Sequence, residues 1–162
     1  MSNSKFQFEY DVYENSDALS ADDALLLDKA RKITEVAYAP YSKFFVGAVA
    51  RLANGEIVAG TNQENASYPV GICAERVLLG NAATHFPGVA IDTLAVSYYS
   101  KNVDSDHPIS PCGMCRQALL EYEARSDRPI RLILAGQRGQ VYIIRSTSYL
   151  LPFAFRQADL GS

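Results

Sequence analysis

Phe44-Phe-Val-Gly-Ala-Val-Ala-Arg-Leu52, then Ala53-Asn-Gly55, then Glu56-Ile-Val-Ala-Gly-Thr61 read together as a strand, a turn and a returning strand. The first run is apolar but for Arg51 and reads as a buried strand, and Asn54-Gly55 is a strong hairpin turn signal. Upstream, Ser20 can cap a helix whose first turn holds Asp22 and Asp23, both suited to the positive helix end. Leu26, Ala30, Ile33 and Ala37 then recur at helical spacing until Pro40. Downstream, residues 62–72 are loop-like, and Cys73–His85 reads as a helix stopped by Phe86-Pro-Gly88. Ile91–Tyr99 reads as a strand, 101–110 as a polar loop, and Cys112–Arg125 as a third helix with Pro111 in its first turn. Ile130–Ala135 and Val141–Arg145 are two more strands around a Gly136–Gly139 turn, and Thr147–Phe155 is a short helical or turn segment. Five strands with helices between them predict an α/β fold, a three-layer α-β-α arrangement with a mixed five-stranded sheet. Residues 1–19 form an N-terminal extension, either disordered or packed on an oligomer, and 20–162 form the main domain.

The chain has 162 residues, 48% apolar and 20% charged, with a net charge of -3. That length suits one domain. A polynucleotide-binding protein needs a basic face. The densest basic cluster here, Lys29, Arg31 and Lys32, lies in the first helix and reads as a solvated face. A nucleic-acid polymer is therefore a poor partner. No run approaches the ~18 apolar residues of a membrane span, and the polar, acidic start carries no export signal. No membrane partner and a cytoplasmic location are the expectations.

Three cysteines, Cys73, Cys112 and Cys115, make an odd set, which argues against a disulfide framework. Cys112 and Cys115 are three apart at a helix start, where residues i and i+3 share a face. Cys73 opens another helix. Helix N-termini stabilise thiolates, and zinc favours thiolate in tetrahedral geometry. A structural zinc site takes four protein ligands. His85 ends the helix that Cys73 begins, about 18 Å away. His107, in a loop five residues before Cys112, is in reach as a fourth ligand, but a surface residue is the favoured reading. Three ligands then imply a catalytic site. A thioredoxin-like redox pair is the competing reading of Cys-Gly-Met-Cys, but it leaves Cys73 unexplained.

Glu75 lies two residues after Cys73 and can lean toward the same pocket, where a carboxylate can shuttle protons for activated water. The plain alternative is a glutamate that stabilises its own helix end. Three thiolates on Zn²⁺ leave one excess negative charge, which the guanidinium of Arg76 could offset. A surface arginine explains Arg76 equally well.

Cys73-Ala-Glu75 with Pro111-Cys112-Gly-Met-Cys115 resembles the zinc nucleoside deaminase signature. Tyr38-Ala-Pro-Tyr-Ser-Lys-Phe44-Phe-Val-Gly-Ala, Asn62-Gln-Glu64-Asn-Ala-Ser-Tyr68 and Leu150-Leu-Pro-Phe-Ala-Phe155 extend the resemblance to the small homotetrameric cytidine deaminases, over roughly residues 20–157. The resemblance implies one zinc per subunit on Cys73, Cys112 and Cys115, with Glu75 as the catalytic shuttle. It implies that Phe44 stacks on the pyrimidine and that Asn62 and Glu64 hold the ribose. Backbone groups of Ala74 and Ser110 would hold the base edge, and Arg76 would neutralise thiolate charge. It further implies a homotetramer with shared active sites, Tyr68 and Phe155 reaching into a neighbour's pocket. The implied reaction is hydrolytic deamination of cytidine and deoxycytidine, in pyrimidine salvage. Three departures stand out: Phe45 where many members carry proline, Ser148-Tyr149 where an acidic residue is frequent, and the unplaced extension. A blasticidin S deaminase shares the three-cysteine, one-glutamate core and is the nearest rival. A polynucleotide-editing deaminase and a non-catalytic zinc module are the others.

Overall fold

Leu52 and Glu56 close the hairpin as predicted, the Leu52 N–H donating to the Glu56 carbonyl at 2.8 Å, with Gly55 at φ +89° where glycine is favoured. The computed structural model describes residues 1–161. Its elements are β1 (Asp11–Tyr13), α1 (Ala21–Ile33), β2 (Phe44–Leu52), β3 (Ile57–Thr61), α2 (Ala74–His85), β4 (Ile91–Ser100), α3 (Gly113–Ser126), β5 (Arg131–Ala135) and β6 (Val141–Ile144). They form one mixed sheet in the order β1-β6-β5-β4-β2-β3, with β4 and β5 parallel and the other pairs antiparallel. The expected five strands are thus six. The sixth is β1, three residues of the extension pairing with Val141–Ile143, so part of the extension packs on its own chain. A three-residue strand is too short to show a hydrophobic period.

The pleat of β2 sorts the layers. Ala48, Ala50 and Leu52 join α2 and α3 in one core with Leu78, Leu94, Leu119 and Leu132, while Val49 joins α1 in another with Leu27, Ala30, Ile133 and Ile143. Alternate residues of a strand face opposite sides, so one apolar run serves both layers. α1 starts where Ser20 caps it, its Oγ accepting from Asp23 N–H at 3.2 Å. Arg31 departs from the expected solvated face: it is half-buried and donates to the Gly136 carbonyl and to Ser16 Oγ. Pro111 also sits differently, one residue ahead of the α3 cap rather than inside the helix. Two glycines set how closely the layers approach. A β-carbon at Gly47 would collide with Ala30 and Ile33 of α1, and one at Gly60 with the backbone of Ala74 and Leu78 in α2. Among the described residues no helix is long and apolar enough to cross a membrane.

Candidate metal centre

Cys73 caps α2 and Cys112 caps α3, both in extended backbone, and Cys115 lies one turn into α3. α2 lies on β2 and β3 and packs directly against α3, which brings the two helix starts side by side. The three sulfurs lie within 4.8 Å of one another, with Cys73 to Cys112 at 3.8 Å and Cys112 to Cys115 at 3.5 Å. Sulfurs at about 2.3 Å from a tetrahedral ion stand about 3.8 Å apart. Both of these spacings are close to that value, and thiolates are the donors zinc prefers. Among the described residues these three form the only such cluster. His107 stands apart, its Nδ1 within reach of the Tyr98 hydroxyl and Asp106.

Glu75, the second residue of α2, is only 5% exposed, and burial pushes its carboxyl above the usual range against opposing hydrogen bonds that include Cys115. Cys73 is drawn down to about 6, first because Cys115 hydrogen-bonds to it, against its burial and the Glu75 charge, with smaller help from Cys112 and the charge of Arg76. Cys115 is pushed the opposite way by that same bond and by its burial. The cluster therefore already favours one thiolate, and Arg76 acts on it through its charge.

The remaining predicted residues fall into two groups. Phe44 stacks on Tyr98, rings 4.8 Å apart and 10° from parallel, while Asn62 bridges the β2 backbone, accepting from Val46 N–H at 2.7 Å and donating to the Phe44 carbonyl at 2.9 Å. An amide has two N–H groups and two lone pairs, so one of each remains on Asn62. Glu64 accepts from the N–H groups of Tyr41 and Ser42; partial burial works against these bonds, but they hold its carboxyl below the usual range. Glu64 and Tyr68 line a cleft of 420 Å³ with Tyr41, Ser42, Asn65 and Gly71. Tyr68 and Phe155 are 75% and 60% exposed. Ala74 is fully buried at the start of α2, where helix N–H groups lack intrahelical partners, and Ser110 is exposed ahead of Pro111. A larger cleft, 690 Å³, lies between α1 and Phe45–Tyr99 and holds no sulfur and no predicted residue.

Several supporting residues escaped the sequence reading. Tyr98 backs Phe44 only through the β2–β4 register, which pairs it with Val46. Tyr41 and Ser42 hold Glu64 by backbone N–H, which carries no side-chain signal. Arg116 donates to the carbonyls of Pro111 and Leu150, and Gln117 to that of Phe155, tying the C-terminal segment to α3. The adjacency of Arg116-Gln117 to Cys115 was a signal that could have been followed.

Residues 20–127 match the family model described as the cytidine and deoxycytidylate deaminase zinc-binding region. The chain is 34% identical over 140 residues to the cytidine deaminase of Halalkalibacterium halodurans, covering 86% of this chain and 98% of that one. It is 39% identical over 140 residues to the cytidine deaminase of Mycobacterium tuberculosis, covering 84% and 91%. The solved cytidine deaminase of Burkholderia pseudomallei superposes with a TM-score of 0.71 at 35% identity, covering 85% of this chain and all of that one, 100%.

Proposed function

This chain belongs to the cytidine and deoxycytidylate deaminase family, and from that membership we propose that it hydrolyses cytidine and deoxycytidine to uridine and deoxyuridine with release of ammonia. A C–O bond forms at C4 of the pyrimidine and the C4–N bond breaks. The observation that carries the reading is a cluster of three sulfurs at zinc spacing beside a buried glutamate. Cys73, Cys112 and Cys115 hold one zinc per subunit, which supplies a Lewis acid that brings the ionisation of water toward neutral pH. Glu75 moves the protons: its carboxylate takes one from the attacking water and passes it to N3 of the ring, then takes the second from the oxygen now bonded to C4 and delivers it to the amine, which leaves as ammonia. Arg76 reduces the excess negative charge of the thiolates.

Phe44, held from behind by Tyr98, offers a ring face to the base, and the backbone of Ala74 and Ser110 holds the base edge. Asn62 uses its remaining donor and acceptor, with Glu64, on the ribose hydroxyl. Tyr68 and Phe155 complete a neighbouring pocket in a homotetramer. Their exposure, 75% and 60%, leaves both rings free to contact a second copy of the chain. The enzyme works in the cytoplasm on free nucleosides, in pyrimidine salvage.

Metal content and ammonia release upon adding cytidine, measured on one preparation, test the proposal. Stoichiometric zinc with ammonia and loss of cytidine absorbance is the expected result. A preparation free of transition metal, or one that carries zinc yet releases no ammonia, overturns it. Light scattering tests the assembly, and an active monomer would remove the shared-site arrangement.

A further inference from the structure

Phe6, Phe8 and Tyr10 occupy every second position of the extension. Alternate residues of an extended chain share a face, and these rings follow one another at 6.1 and 6.2 Å between centroids. β1 continues the run onto the sheet edge, where Asp11, Val12 and Tyr13 pair with Ile143, Tyr142 and Val141. Two rings turn onto the body of the protein: Tyr10 meets Tyr142 edge-on at 5.2 Å, and Phe8 meets Tyr149 at 5.6 Å. Both distances lie within the favourable range for aromatic pairs. Among residues 1–10, Phe8 alone is partly buried.

Tyr149 lies in the 3-10 turn Thr147–Leu150. Its neighbour Leu150 accepts from Arg116 Nη1 at 3.1 Å, and Arg116 Nε donates to the Pro111 carbonyl at 2.8 Å. Gln117 Nε2 donates to the Phe155 carbonyl at 2.8 Å. Arg116 directly follows Cys115, and Pro111 directly precedes Cys112. Contacts therefore run unbroken from Phe8 through Tyr149, Leu150 and Arg116 to the loop that enters the metal-binding helix.

We propose that Phe8 and Tyr149 are positioning residues for the site: their ring contact holds segment 147–155 against α3, and through Arg116 and Gln117 that segment sets the placement of the Ser110–Cys112 loop and of Phe155. The kinetic half of this proposal rests on the deaminase reading above. Phe8 touches none of the reacting groups; it acts by narrowing the positions open to the C-terminal segment.

The test uses the zinc-loaded full chain as wild type, Phe8→Ala, Phe8→Tyr and Tyr149→Ala, together with a deletion of residues 2–10 that leaves β1 in place. Trypsin cleavage at Arg156, within the C-terminal region, reports how firmly the segment is held. Phe8→Ala, Tyr149→Ala and the deletion should each be cut about fivefold faster, the equilibrium factor of one aromatic pair. KM for cytidine should rise about threefold or more on the same basis, with zinc content unchanged and kcat nearly so. Phe8→Tyr, which keeps a ring, should restore both. Wild-type cleavage rates in Phe8→Ala and the deletion would overturn the proposal, whether or not Tyr149→Ala folds. Faster cleavage at unchanged KM would overturn the link to the site. If the wild type turns over no cytidine, the deaminase reading fails by itself, and the cleavage rates still show whether Phe8 holds the segment.

Discussion

Glu75 sits where a carboxylate is costly, 5% exposed on the first turn of α2 and beside three sulfurs. In the proposed reaction such placement serves proton transfer. Glu75→Ala should therefore fold and bind zinc as the wild type does while kcat falls by about 10²–10⁴. Metal content and steady-state kinetics on the same sample check it, and full turnover with zinc retained would remove the assignment. Asp23 is a buried carboxylate of the other kind. Arg131 grips it with two bonds, 2.7 and 2.8 Å. Those bonds, outweighing burial, hold its carboxyl below the ordinary 3.8. A depressed carboxyl stabilises the fold above its unfolded value and loses that contribution as pH falls through the folded value. The wild type should thus lose this stability only below about pH 4. Asp23→Asn should cost about 1.5–3 kcal/mol at neutral pH, the range for hydrogen bonds to charged groups. It should also flatten the acid limb. Urea titrations across pH measure both.

At the scale of elements, the site depends on two joints. The first is α2 lying against β3 with only Gly60 between them. Gly60→Ala must push away the turn that carries Cys73 and Glu75. It should cost about 1–3 kcal/mol, the usual price of overpacking, and should weaken zinc binding in a competition with a chelating dye. Unchanged zinc affinity would show that the helix start tolerates the displacement. The second joint is Glu123 of α3, whose carboxylate accepts from Ile130 N–H, Thr147 N–H, the Thr147 hydroxyl and the Ser146 hydroxyl at 2.6–2.9 Å. These bonds pin the end of α3 to the start of β5 and to the turn after β6. Glu123→Gln presents an N–H₂ group to some of these donors and should lose about 1.5–3 kcal/mol. Thermal unfolding reads it directly, and a Tm equal to wild type would contradict the staple.

For the whole molecule, the metal and the fold stabilise each other. Two helices from different parts of the chain converge on the sulfurs, so a bound ion links α2 to α3 across segments 74–85 and 113–126. A ligand bound only by the native state adds about 2.7 kcal/mol at a hundredfold excess over Kd. For a domain of this size that is a Tm rise of about 5–11 °C. Chelation should remove the rise together with turnover, and zinc should restore both. Equal melting with and without zinc would mean that the metal contributes nothing to joining the layers. Much of this architecture was legible in the residues. Asn54-Gly55, the apolar run of β2 and the Ser20 cap each state their conformation locally. The spacing of the two cysteine-led helices allowed a shared ligand set, and the resemblance of the surrounding motifs pointed to one. β1 was not legible, because its three residues take their meaning from β6, far away along the chain. Nor were the Phe44–Tyr98 stack and the Asn62 bridge to β2, which exist only in one register.

The amino-acid order alone determined the three main helices and five of the six strands, that three thiols and one carboxylate belong together, and the family to which they point. The elements follow from periodicity and turn chemistry, and the site set and the family from the resemblance of short motifs, all of them short-range properties. Tertiary structure decided the sixth strand, the 3.5–3.8 Å sulfur spacings, the burial of Glu75 and the path from Phe8 to Arg116. Those depend on which surfaces meet, and a contact such as Phe8–Tyr149, between residues far apart along the chain, leaves no periodic trace in either partner.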